Sequence, residues 1–263
     1  MSKIRITAVS YLNTKPLLYG LLRSDLKSEI DLQLDMPSLC ASKLASGEAD
    51  VGLVPVAILP KLPNPTLISD YCIGAVGAVR TVSVLGDVPL EEMTHIYLDY
   101  QSRTSVELLQ VLLKKHWHLS PILLPASPGF EQLIGGKVGG LVIGDRVIEL
   151  ETRFAYNYDL GQAWWDFANL PFVFAAWVST KPLPPDWVSR FNAALRDGLD
   201  EIPNLLMLLP TPHPGFDLET YFTQNISYDL DVSKRKGLGV FLNHLSPNLQ
   251  TSLAQSLAYE ETQ

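Results

Sequence analysis

Apolar residues fall in short blocks that switch between two periods. Ile4, Ile6, Ala8 and Val9 form a short alternation of the kind a strand shows, and Leu17, Leu18, Leu21 and Leu22 then follow at helical spacing. Pro16 sits in the first helical turn, where its missing N–H does no harm. The pattern predicts a second strand over 31–34, a helix over 39–45 stopped at Gly47, and a short buried strand over 50–54.

The same order returns with a strand over 95–98, a helix over 105–115, a strand over 121–124, a helix ending at Gly135-Gly136, and a strand over 140–143. Adding 89 carries Tyr11 onto Tyr100, Leu34 onto Leu123, Ser38 onto Ser127, Leu44 onto Leu133 and Gly47 onto Gly136. Agreement on one offset argues for two copies of one βαβαβ layout.

Two such units form either one doubly wound sheet or two lobes. A dinucleotide-binding sheet needs Gly-x-Gly-x-x-Gly after its first strand, and the chain has Ser10-Tyr11-Leu12-Asn13-Thr14 there. Gly135-Gly136-Lys137-Val138-Gly139-Gly140 precedes a strand and reads as a helix-to-strand turn. The long strand-like stretches 71–85 and 170–178 fit a two-strand hinge between lobes. The expected division is 1–86 with 176–263 as one lobe and 87–175 as the other. Helices over 186–209, 218–225 and 235–245 close the chain back on the first lobe.

The 263 residues are 47% hydrophobic and carry a net charge of −8, so each lobe can bury a core without disulfides or metal. That acidity argues against nucleic acid and anionic membrane surfaces, since the longest basic run is Lys234-Arg235-Lys236. Cys40 and Cys72 read as reduced core residues. With neither a leader-like apolar block nor a spanning run, the expectation is a cytoplasmic protein, with no obligate protein partner evident.

Ligands in open parallel sheets bind beyond the carboxyl ends of the strands. The offset sets Asn13 opposite Ser102, each in the loop leaving the first strand of its lobe. Ser102-Arg103-Thr104-Ser105 opens a helix, a place suited to a carboxylate, although simple N-capping is the other reading. Ser38 has the same two readings. Asp145 ends the last strand of the second unit and points either into the cleft or into a local ion pair with Arg146. The scattered histidines hold no metal-binding spacing, and there is no Gly-x-Ser-x-Gly elbow. Trp164, Trp165, Trp177, Phe172 and Phe174 either line a pocket or pack a core.

Four stretches, Ser10-Tyr11-Leu12-Asn13-Thr14-Lys15-Pro16-Leu17, Gly47-Glu48-Ala49-Asp50-Val51-Gly52-Leu53-Val54-Pro55-Val56-Ala57, Leu98-Asp99-Tyr100-Gln101-Ser102-Arg103-Thr104-Ser105 and Tyr158-Asp159-Leu160-Gly161, precede Leu170-Pro171-Phe172-Val173-Phe174-Ala175-Ala176-Trp177. Together they resemble the chorismate dehydratases of the futalosine route to menaquinone. The resemblance implies an α/β fold like a type 2 periplasmic binding protein, with two lobes, a central cleft and a two-strand hinge. It implies a lyase that removes water from chorismate to give 3-[(1-carboxyvinyl)oxy]benzoate, with no cofactor. The family's functional asparagine falls on Asn13 and its functional serine nearest Thr81, with Ser83 the fallback and Arg80 beside them. Ser102, Arg103 and Thr104 would hold a substrate carboxylate. The sister 1,4-dihydroxy-6-naphthoate synthase and a cytosolic carboxylate-binding protein are the rival expectations.

Overall fold

The computed structural model describes residues 3–247, 249 and 251–258. Strands β1 (Ile4–Val9), β2 (Ile30–Asp35), β3 (Val51–Pro55) and β4 (Thr66–Ala75) belong to a first sheet. Strands β5 (Val82–Gly86), β6 (His95–Leu98), β7 (Ile122–Pro125), β8 (Val138–Ile143) and β9 (Tyr156–Asp159) form a second, and β10 (Phe172–Ser179) and β11 (Ser227–Asp229) return to the first. The strand orders are β11-β4-β10-β3-β1-β2 and β7-β6-β8-β5-β9. The α-helices among the described residues are α1 (Lys15–Arg23), α2 (Pro37–Ser46), α3 (Arg103–Leu112), α4 (Asp145–Leu150), α5 (Leu160–Ala168), α6 (Pro185–Asp200), α7 (Ile202–Leu208), the short α8 (Leu218–Thr220), α9 (Val232–Leu245) and α10 (Thr251–Leu257).

The two lobes share one plan. β1 pairs in parallel with β2 and β3, and β6 pairs in parallel with β7 and β8. β3 then takes β10 as an antiparallel neighbour, and β8 takes β5. The match fails at the second helix: α2 is a full helix capped by Gly47 at φ 76°, whereas its counterpart shrinks to a 3-10 turn at Phe130–Leu133. Pro125, Pro128 and Gly129 deny that segment the amide donors and helical preference it needs.

The expected lobe boundaries need correction. β5 pairs inside the second sheet and Phe172–Ala175 inside the first, so the chain changes sheets over 76–81 and 160–171, not at 86/87 and 175/176. The first stretch is not one continuous strand: it breaks where Gly77 and Arg80 take positive φ, 81° and 69°. The second crossing contains α5. The expected helix over 186–209 is two helices, with Pro203 in the first turn of the second.

The core follows the apolar pattern. Trp164, Phe172 and Phe241 pack edge-to-face, with centroids 5.2 Å apart for Trp164–Phe172 and 4.9 Å for Phe172–Phe241, so the aromatic concentration is mainly core. Cys40 and Cys72 are free and buried, and burial pushes their thiols up to about 11 and about 12. No helix among the described residues is long and apolar enough to cross a membrane.

Candidate active site

The loop leaving β1 folds on a buried threonine. The Thr14 hydroxyl reaches two carbonyls, those of Val9 at 2.8 Å and Tyr11 at 2.7 Å, closing a tight turn that presents Asn13 to the space between the lobes. Tyr228 fixes this loop from behind, its hydroxyl donating to the Asn13 carbonyl at 2.8 Å. The Asn13 side-chain oxygen is buried and has no hydrogen-bond partner among the described residues.

The facing wall is built the same way. Asp99, at the end of β6, is 3% exposed and accepts from the backbone N–H groups of Gln101 at 2.8 Å and Ile143 at 3.2 Å, while Arg146 pairs with it. This holds the loop that carries Ser102. The Ser102 hydroxyl caps α3 by accepting from the Ser105 N–H at 3.2 Å, and the two serine hydroxyls lie 2.9 Å apart. Both serines line the cleft. The Arg103 and Thr104 N–H groups have no acceptor among the described residues, which leaves a positive helix end beside the cleft.

Asp159 joins the two crossings at the floor. Its carboxylate caps α5 and also accepts from the N–H groups of Val79 at 3.1 Å and Arg80 at 2.6 Å. That staple stabilises the left-handed backbone at Arg80 and sets the next residue, Thr81, into the cleft. Thr81 is 1% exposed, and its hydroxyl lies 2.9 Å from the hydroxyl of the fully buried Tyr221.

Asn13, Thr81 and Ser102 therefore converge on one cavity of about 60 Å³, with Tyr11, Ser105, Val9, Ile73, Ile143 and Phe174 among its other walls. None of the described residues lining it carries a formal charge. Tyr11 also bridges the lobes, its hydroxyl donating to the Gln101 side-chain oxygen while its ring lies against Gly144. Among the described residues no three His, Cys, Asp or Glu side chains converge as a metal site requires.

Several expected site residues are placed elsewhere. Arg80 pairs with Glu151 at 2.9 Å and stacks 4.5 Å from the Phe216 ring centroid, so its charge is used structurally. Arg103 is exposed, and the Thr104 hydroxyl accepts from the Ala57 N–H at 3.2 Å. Ser83 is buried in β5; Val82 lines the cleft, and strand alternation turns its neighbour to the other face. Ser38 is the second residue of α2, behind Pro37, and the capping position belongs to Met36. The Asp145 carboxylate accepts from the Leu12 N–H at the cleft's edge and does not line the cavity; Arg146 pairs with Asp99 and Glu131. Tyr221 is the residue that sequence reasoning missed. It lies in the stretch expected as a helix over 218–225, where Leu218, Tyr221 and Phe222 at helical spacing read as core and nothing marks the phenol for a site.

Two α/β lobes with one cleft at their shared strand ends define the periplasmic-binding-protein fold. Solved structures share it: a Candida albicans protein described as having the generic periplasmic binding protein fold (TM-score 0.66, 10% identity, 98% of this chain and 95% of that one). The periplasmic aliphatic sulphonate binding protein SsuA of Escherichia coli is another (TM-score 0.57, 12% identity, 97% of each chain). The chain belongs to the menaquinone biosynthesis family, whose model matches residues 4–246. It is 29% identical over 231 residues to a Thermus thermophilus protein named chorismate dehydratase, covering 77% of this chain and 82% of that one.

Proposed function

We propose that this protein is a chorismate dehydratase, a hydro-lyase that takes water from chorismate to give 3-[(1-carboxyvinyl)oxy]benzoate on the futalosine route to menaquinone. The family and the Thermus thermophilus relative support the substrate. The observation that carries the reading is the buried, unpartnered Asn13 oxygen in a cavity lined by neutral donors and acceptors. An unsatisfied buried acceptor costs about 1–3 kcal/mol, a cost that a bound hydroxyl group removes.

Elimination here is redox-neutral: the ring C–H bond and the C–O bond to the leaving hydroxyl break, the ring becomes aromatic, and one water departs. No carboxylate, histidine or lysine lines the cavity among the described residues, so a substrate carboxylate takes the ring proton and passes it on to the departing hydroxyl. Asn13 and Thr81 orient and polarise the reacting groups, and the α3 N-terminus with Ser102 and Ser105 receives a carboxylate.

The cavity has room for about four to six waters at roughly 10–15 Å³ each, so a substrate of chorismate's size enters only when the lobes part. The two-crossing hinge provides that motion. Incubating the purified protein with chorismate and following the aromatic product by mass tests the reading. Accumulation of a product lighter by one water supports it. Chorismate recovered intact from a protein that binds it points to a carboxylate-binding protein instead.

A further inference from the structure

We infer that Tyr221 is a positioning residue of this site, holding the Thr81 hydroxyl in the orientation that presents it to substrate. The inference rests on the dehydratase reading for its kinetics but on the geometry for its core. Tyr221 has no exposed surface, and its hydroxyl lies 2.9 Å from that of Thr81, with the Asn13 side chain also beside it. It does not line the cavity, so it acts through Thr81.

Either hydroxyl can donate across this 2.9 Å contact, and the arrangement that serves substrate is the one in which Tyr221 donates. Burial raises the Tyr221 pKa well above its ordinary value, with the neighbouring Thr81 and Asn13 side chains opposing that shift, so the phenol keeps its proton through the neutral range. Thr81 has one hydroxyl hydrogen. When Tyr221 donates to the Thr81 oxygen, that hydrogen is left for the cleft, and Thr81 presents a donor to the same cavity that the Asn13 oxygen lines as an acceptor. A donor and an acceptor lining one cavity suit a substrate with a departing hydroxyl and a carboxylate.

The phenol is itself held in place. Its ring packs against Phe216 at 5.3 Å between centroids, and Phe216 carries the Arg80 guanidinium on its own face. Arg80 precedes Thr81, so the segment after α7 grips both sides of the same peptide. Tyr228 adds the clamp on the Asn13 carbonyl.

A double-mutant cycle of Tyr221→Phe and Thr81→Val tests this. Tyr221→Phe is expected to lower kcat on the order of tenfold to a hundredfold with KM changed little, as displacement of a reacting group does. In the Thr81→Val background the same change should cost almost nothing, because the hydroxyl that Tyr221 positions is gone. Additive losses, or a fall that matches a lost folded fraction, overturn the inference. Should wild-type protein bind chorismate without converting it, the cycle is read on the dissociation constant instead. A crystal structure of the Tyr221→Phe variant judges the core independently of any ligand: the Thr81 rotamer is expected to change, and an unmoved Thr81 hydroxyl overturns the inference even if the functional reading stands.

Discussion

The backbone N–H of Leu12 donates to both carboxylate oxygens of Asp145 at 3.3 Å, tying the first-strand loop of one lobe to α4 of the other. The two residues are 133 apart in the chain and sit at the rim of the cleft. The contact closes the rim of the cleft, and under the proposed function it forms over bound substrate as the lobes come together.

Asp145 should separate closure from stability. Burial raises its carboxyl pKa, with the Leu12 N–H and Lys15 opposing. An acid whose folded pKa lies above its unfolded value contributes stability below the unfolded pKa and loses it as pH rises through the folded one. At neutral pH the buried charge therefore costs stability, and Asp145→Asn should leave the thermal midpoint unchanged or raised. The neutral amide is a weaker acceptor by about 1 kcal/mol, so chorismate affinity should fall about fivefold. Calorimetry and thermal unfolding check both halves; a lower midpoint with unchanged affinity contradicts that role.

Asn13 should show the opposite pattern to a core residue. Its side-chain oxygen makes no hydrogen bond among the described residues, so Asn13→Ala removes an unsatisfied acceptor. The thermal midpoint should hold or rise, while kcat/KM for chorismate falls on the order of 10²-fold or more. Turnover at the wild-type rate would remove Asn13 from the mechanism.

Much of this arrangement is legible in the chain. The 89-residue offset puts Asn13 and Ser102 on facing walls because each leaves the first strand of an identical βαβ start, and that register survives folding. The hinge is less legible. Arg80 at φ 69° is a non-glycine in left-handed space, held there by Asp159 from a distant segment, and no local propensity signals it. The charged residues nearest the cleft misled for a related reason: Arg80, Arg103 and Asp145 lie next to the right loops, but their partners, Glu151, solvent and Leu12, are set by tertiary packing.

Thr104 illustrates the structural role that sequence position alone hides. Its hydroxyl satisfies the Ala57 N–H, buried across the lobe boundary. Thr104→Val keeps the shape but orphans that donor, and should lower unfolding free energy by about 1–3 kcal/mol. Thr104→Ser should restore most of it. Denaturant unfolding of the three proteins measures this; equal stability of Val and wild type would show the bond to be dispensable.

The Asn13 loop is supported from behind by the packing of α1 on α6. α1 starts two residues after Asn13 and crosses α6 backbone to backbone: a Cβ on Gly198 would sit 2.1 Å from the Pro16 carbonyl oxygen, and one on Gly20 would sit 1.9 Å from that of Ala194. These contacts are with main chain, which cannot rotate away, so Gly198→Ala must push the helices apart. Overpacking of this kind costs about 1–3 kcal/mol or more. Because Pro16 is three residues from Asn13, the displacement should reach the cleft and lower kcat/KM beyond what the lost folded fraction explains. Gly239→Ala is the control, since a Cβ there meets nothing within 4 Å inside α9. It should stabilise by roughly 0.5–1 kcal/mol through helix propensity alone, with activity unchanged. If both substitutions shift the midpoint alike, the close crossing of α1 and α6 does not govern the position of Asn13.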